Sequence, residues 1–237
     1  MNKIAIVSPK APQICSALEK FGYKLIYSNS VDEFISYEKT HADMQCLAFN
    51  NNVFVLSQCQ KLGHELNKLG INVIYTSKRA NGKYPENILL NAQVVGKTVI
   101  GKINSLDKKL VDYLKISGYQ LINVNQGYTG CSCVKVDDNS IITADNSIYK
   151  ALKDTNVDVL KIEEGSIILD GADQTTYGFI GGASALVDKN NLLFFGTIEN
   201  HPDYNRISKF CKSKNVVIHS IKDIPLTDIG GAVLLIF

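Results

Sequence analysis

No apolar run in this chain approaches the length of a membrane span, and its first residues, through Val7, read as a strand with no basic stretch ahead of it. These absences argue against a membrane partner and a secretory leader, so a cytoplasmic location is expected. Tryptophan is missing altogether. Charge of one sign is also missing: the net +2 is spread along the chain, and the one local basic cluster, Ser77 to Lys83, reads as a solvated loop. A nucleic-acid partner is therefore not expected. No glycine cluster is followed by Lys-Ser or Lys-Thr at phosphate-loop spacing, and a strand, not a helix, follows each cluster, which excludes a dinucleotide fingerprint. The six cysteines (Cys15, Cys46, Cys59, Cys131, Cys133, Cys211) contain no pair at zinc-ligand spacing, so neither a metal nor another cofactor is expected.

What the chain does have is repetition. A helix-end, turn and strand phrase occurs as Leu18-Glu-Lys-Phe-Gly22-Tyr-Lys-Leu-Ile-Tyr27, as Leu66-Asn-Lys-Leu-Gly70-Ile-Asn-Val-Ile-Tyr75 and as Leu114-Lys-Ile-Ser-Gly118-Tyr-Gln-Leu-Ile-Asn123. Weaker copies run over Leu152 to Lys161 and Cys211 to Ser220, with Asn156 and Asn215 in the glycine place. Gly and Asn both tolerate the left-handed backbone of a helix C-terminus. Ahead of each helix stand two short apolar runs joined by a polar turn. They are Gln45 to Phe49 with Val53 to Leu56, Ser132 to Val136 with Ser140 to Thr143, and Ala183 to Val187 with Leu192 to Phe195. The third unit is the poorest match, with Ile88 to Leu90 and Thr98 to Ile100 as its runs. Each unit thus reads strand, strand, helix, strand. In the first unit the opening strand is missing, because the chain starts on Lys3 to Val7. Gly230-Gly231-Ala-Val-Leu-Leu-Ile-Phe237 supplies it from the other end, so the two terminal strands are expected to pair and close a ring. At 237 residues and 45% hydrophobic, residues 1–237 suffice for one compact domain.

Five such units in a closed ring resemble the pentein, or guanidine-group-modifying, fold. The resemblance covers the whole length and implies an α/β fold: a five-bladed, pseudo-symmetric α/β propeller of strand-strand-helix-strand repeats. Asp228-Ile-Gly230-Gly231-Ala resembles the Gly-Gly stretch leading to the family's C-terminal nucleophile. Gly178-Phe-Ile-Gly181 resembles its Gly-His-x-Asp segment in position. The resemblance also implies what has been lost: the cysteine place falls near Leu234, with no cysteine after Cys211, the histidine place is Phe179 and the acidic place is Gly181. An aliphatic side chain cannot add to a guanidinium carbon, so the usual hydrolysis of guanidines is not expected.

Other polar groups are candidates for the ring axis. Cys131 follows Gly127-Tyr-Thr-Gly130 at the mouth of the fourth opening strand, where alternation would put it on one strand face with Cys133. His201-Pro-Asp203-Tyr204 starts a helix, or else His201 carries a proton near the axis. Asp145 is either a helix N-cap or a site acid, and Asp228 either a turn residue or a site acid. Cys131, His201, Asp145 and Asp228 form the candidate catalytic set. Asp173, Gly178, Phe179, Gly181 and Asp203 form the candidate ligand-binding set. Three function classes stay open: a binder of a small guanidine- or amino-acid-like molecule, a divergent enzyme, and a protein-interaction module that does no chemistry.

Overall fold

The computed structural model describes residues 3–49, 51–173 and 175–236. Five three-stranded sheets carry most of the chain, and all five have one topology. A middle strand pairs antiparallel with an opening strand on one side and parallel with a closing strand on the other. In the second sheet these are Asn52–Val55, Cys46–Phe49 and Asn72–Tyr75. The third uses Thr98–Gly101, Gln93–Val95 and Gln120–Asn123. The fourth uses Ser140–Thr143, Cys133–Lys135 and Asp158–Lys161. The fifth uses Asn191–Phe194, Ser184–Asp188 and Val217–Ser220. The parallel step needs a crossover, and in each unit a helix of seven to ten residues provides it, such as Gln60–Lys68 or Lys108–Ile116.

The first sheet is assembled from both ends of the chain. Lys3–Val7 pairs in parallel with Lys24–Tyr27 and antiparallel with Ala232–Ile236, running from Lys3 opposite Ile236 to Val7 opposite Ala232. Phe237 lies outside the described residues. A further two-stranded sheet, Ile168–Leu169 with Thr227–Asp228, was not anticipated by the repeat pattern.

Neighbouring sheets touch in chain order, and the fifth touches the first. The opening strand of the first packs on those of the second and fifth, and the fourth on those of the third and fifth. Between the second and third, Phe49 packs against Tyr113 and Tyr119, and Asn52 donates to the Tyr113 hydroxyl at 2.8 Å. Each seam is filled by an apolar cluster that draws on adjacent units. One holds Phe54, Leu66, Leu89 and Leu110, and another Val134, Ile142, Phe194 and Ile207. The middle strands, covered on both faces, read as unbroken apolar runs for that reason.

Several details depart from the sequence reading. Gly22, Gly70, Gly118 and Asn215 have the expected left-handed backbone, with φ of 82°, 78°, 72° and 58°. Asn156 does not. The fourth helix is instead closed by Thr155, whose hydroxyl donates to the Leu152 carbonyl and accepts from Val157 N. Ile88 to Leu90 is no strand: it is fully buried packing, and the third opening strand is Gln93–Val95, turned by Gly96. Cys131 lies in a short helix, Thr129–Ser132, so it shares no strand face with Cys133. Among the described residues no helix is long and apolar enough to cross a membrane.

Leu18, Leu66 and Leu114 occupy one place in three units, and all are fully buried. Leu114→Ala is expected to lower unfolding free energy by about 3 kcal/mol. Gly118→Ala, whose Cβ would meet open space, is expected to cost only about 1 kcal/mol through its positive φ. Chemical denaturation of the two variants checks both.

Candidate functional site

The segments just before the five opening strands converge, and polar bonds link them in a complete circuit. Asp43 N donates to the Gly230 carbonyl at 3.1 Å, and Asn91 Nδ2 donates to the Asp43 carbonyl at 3.3 Å. The Asn91 amide oxygen in turn accepts from Gly130 N at 2.7 Å. Gly182 N donates to the Cys131 carbonyl at 2.9 Å, and the Gly182 carbonyl accepts from Ile229 N and Gly231 N at 3.1 and 2.8 Å. Five stretches of backbone can approach this closely only where side chains are absent. A Cβ at Gly181 would strike the carbonyls of Gly130, Cys131 and Cys133, one at Gly182 the Asp228 carboxylate, and one at Gly230 the His41 side chain.

On the strand side of this girdle is a cavity of about 460 Å³, lined by residues of all five opening strands. Its walls mix apolar side chains, such as Leu47, Phe49, Val94, Leu186 and Val233, with polar groups including Gln93 and Ser184, and Lys135 bonded to Asp138 borders it. At the girdle it meets Gly130, Gly181, Gly231 and the Asp43 side chain. Both Asp43 carboxylate oxygens are buried without a hydrogen-bond partner of normal geometry. Burial, opposed by His41 and a weak bond from the Cys131 thiol and reinforced by the Asp228 and Glu38 carboxylates, pushes this acid from 3.8 up to about 6.

Around Asp43 stands a buried polar cluster. Asp228 accepts from Phe179 N and Gly230 N, both at 2.8 Å, yet burial still raises its pKa against those bonds and His41. Glu38, raised mainly by burial, accepts from Asn87 Nδ2 at 3.3 Å. Asn87 also donates to the Tyr128 hydroxyl at 2.8 Å. Tyr128 stacks between Tyr84 and Phe179, with ring centroids 5.8 and 6.0 Å away. Cys131 accepts from Asn91 Nδ2 at 3.1 Å. Burial first, then the Asp43 and Asp228 charges, hold its thiol well above the usual range.

A match to a family model spans residues 6–233, and that family is described as one of unknown function, DUF6873. The chain belongs to DUF6873. A comparison with curated proteins finds no significant match. Solved structures share the fold of this DUF6873 chain at low identity. DDAH from Pseudomonas aeruginosa, solved in complex with citrulline, aligns with a TM-score of 0.61 at 10% identity over 99% of this chain and 98% of its own. The inosamine-phosphate amidinotransferase of Streptomyces griseus aligns at 0.55 and 11%, over 92% and 75%. An amidinotransferase from Microseira wollei in the saxitoxin biosynthetic pathway gives 0.55 and 12%, over 89% and 76%. The DUF6873 chain therefore has the pentein fold.

The residues singled out from the sequence fall into three places in this DUF6873 structure. Cys131, Asp228, Phe179 and Gly181 meet at the girdle, where Gly178 lies against Asp228. Asp145 caps the fourth helix by accepting from Ile148 N at 2.9 Å. It also takes bonds from Ser147 and Gln126, which hold its pKa low against burial. His201 and Asp203 sit together at the start of the fifth helix. The His201 Nδ1 accepts from Asp203 N at 3.0 Å, and burial lowers its pKa. Asp203 accepts from Glu163 N and from Arg206. No hydrogen bond or ion pair joins His201 to Cys131 or Asp228 among the described residues. Asp173 is exposed and takes only local bonds from Thr175 and Thr176. Sequence reasoning missed Asp43, His41, Glu38 and Asn91. The repeat register held a signal, since His41-Ala-Asp43 precedes the second opening strand as Asp228-Ile-Gly230 precedes the first.

Two outcomes are expected. Gly182→Ala is expected to destabilise well beyond Gly118→Ala, by about 3 kcal/mol, because its Cβ drives into a buried carboxylate. For Asp43, the folded-state pKa lies above the unfolded one, so the folded protein binds the extra proton and stability falls as pH rises from 3.8 through about 6. Above that range the ionised form costs roughly 2–3 kcal/mol. Asp43→Asn is expected to flatten this part of the stability–pH curve and to raise the melting temperature at pH 8. Thermal melts of both proteins from pH 4 to pH 8 check it.

Proposed function

We propose that this protein is a five-bladed pentein propeller whose axial cavity binds a small guanidine- or amino-acid-like cation, without the Cys/His pair of the guanidine hydrolases. The observation that carries this reading is Asp43: a buried carboxylate at the girdle end of the cavity, with no hydrogen bond of normal geometry and only a weak donor, the Cys131 thiol, beside it. A buried carboxylate without a donor is costly. A guanidinium or ammonium would supply the donors and the countercharge together. The Lys135–Asp138 pair bordering the cavity offers both charges to the polar end of an amino acid.

Loss of the usual chemistry is part of the proposal. Phe179 takes the place where the family pattern has histidine, and it is stacked on Tyr128. Leu234 takes the place of the nucleophile, and the chain carries no cysteine beyond Cys211. A rearranged enzyme using Cys131 or His201 with Asp145 and Asp228 is the weaker reading. A nucleophilic thiol needs a lowered pKa, and Cys131 is buried beside two carboxylates that raise it. No observation favours a pure protein-interaction role.

Thermal-shift titration with arginine, agmatine, methylated arginines, citrulline and lysine tests the binding. A stabilising ligand is expected to add about 2.7 kcal/mol when present at a hundred times its Kd. Asp43→Asn is expected to abolish that gain, and the effect is expected to strengthen as pH rises through 6. Release of ammonia, an alkylamine or urea from any guanidine by the pure protein would refute the non-catalytic part.

A further inference from the structure

A second cavity, separate from the axial one, lies beside the fourth and fifth sheets. It has a volume of about 210 Å³ and is roofed by residues 162–165, Ile167, Tyr177 and Gly178. One wall is formed where the fourth sheet ends. Thr143 pairs with Cys133, so Asp145, two residues on, lies alongside the short helix that ends at Ser132. Opposite stand Phe179 and Ile180, and Glu163 and Glu164 bring two more carboxylates from the roof. No lysine, arginine or histidine lines the space among the described residues.

Two features set this cleft apart from an acidic surface turn. Ser132, only 3% exposed, has its hydroxyl buried without a hydrogen-bond partner, and Ser132 lines the cavity. Asp145 is held rigidly, with Oδ1 bonded to Ser147 and Ile148 N and Oδ2 to Gln126. A carboxylate has about four acceptor positions, so one remains open at Oδ2. The roof is tied down as well: Glu163 N donates to Asp203, and Glu164 accepts from the Tyr177 hydroxyl at 3.2 Å. Apolar walls with a deep unpaired hydroxyl and acids of one sign match a short alkyl chain carrying a positive head. The volume is that of about seven water molecules, too small for a nucleotide or a peptide. Among the described residues no cluster of His, Cys, Asp and Glu could hold a metal ion.

We propose that this cleft is a second binding site, for a small organic ammonium such as a short-chain amine or diamine. The ammonium sits among Asp145, Glu163 and Glu164. The chain lies on Phe179 and Ile180, and Ser132 receives a polar group at depth. The site is independent of the axial reading, since neither Asp43 nor any opening strand lines it.

Isothermal titration of the full chain with n-butylammonium chloride and with 1,4-diaminobutane, using n-butanol as the uncharged control, tests the assignment. Saturable binding of the amines and none of the alcohol is expected. Glu163 and Glu164 are exposed, so the double variant Glu163→Gln/Glu164→Gln keeps the fold, and it is expected to bind about ten-fold more weakly. Ser132→Val, which fills the depth of the cleft, is expected to lose the diamine. The titrations are repeated in Asp43→Asn, which removes the axial carboxylate, and the amine binding that remains there is expected to depend on Glu163 and Glu164. Binding of n-butanol as strong as that of the amine, or no saturable amine binding, overturns the proposal. So does amine binding that disappears in Asp43→Asn and survives in the double glutamine variant. That last result places the amine in the axial cavity, whereas failure of the axial reading leaves the cleft titration unaffected.

Discussion

The constraint on which this structure rests is the hydrogen-bonded girdle joining the segments before the five opening strands. Each link crosses from one unit to the next, and the last, from Ile229 and Gly231 to Gly182, returns to the start. The pairing of Ala232–Ile236 with Lys3–Val7 completes the first sheet and so holds that last link in place. The glycines at 181, 182 and 230 follow from the crowding, because backbone carbonyls, the Asp228 carboxylate and the His41 side chain of adjoining segments occupy the volume a side chain would need, while Gly231 meets no such clash and instead holds a positive φ of 62°.

The same crowding produces the electrostatics. Burial raises the pKa of Glu38, Asp43 and Asp228 alike; Asp228 raises both Glu38 and Asp43 further, and Glu38 adds to Asp43. His41 opposes the rise at all three. Asp228 is compensated by two backbone N–H groups and Glu38 by Asn87, while Asp43 has no hydrogen bond of normal geometry and only the weak Cys131 thiol as a donor. An arrangement that leaves one acid unsatisfied at a cavity end sacrifices stability, a trade common at functional sites.

The architecture was legible because the repeat phrase has a physical basis. Leu18, Leu66 and Leu114 are core positions, and Gly22, Gly70 and Gly118 are left-handed helix exits, so periodicity and conformation agree. Legibility failed where a different local solution gives the same outcome. Thr155 ends the fourth helix with its hydroxyl, which made Asn156 look like the conformational residue when it is not. Ile88 to Leu90 was mistaken for a strand because a short apolar run buried in a seam has no period of its own. The site was harder to read. Asp145 and Asp228 were visible as acids at unit boundaries, and both are held by several hydrogen bonds. His41-Ala-Asp43 was passed over because its significance comes from neighbours roughly 50, 90 and 190 residues away in the chain, which only the closed circuit of five units brings together.

The strand exchange at the first sheet also bears on how the molecule is made. Four of the five sheets draw on local segments and can assemble as they emerge from the ribosome. The first holds Lys3–Val7 with one edge bare until Ala232–Ile236 arrives, the last described strand to be synthesised. Closing so long a loop carries an entropic cost of about 5 kcal/mol on a logarithmic scale. Until that loop closes, Lys3–Val7 carries an unpaired β edge through the synthesis of the four intervening units, and an open edge is where association with other chains begins.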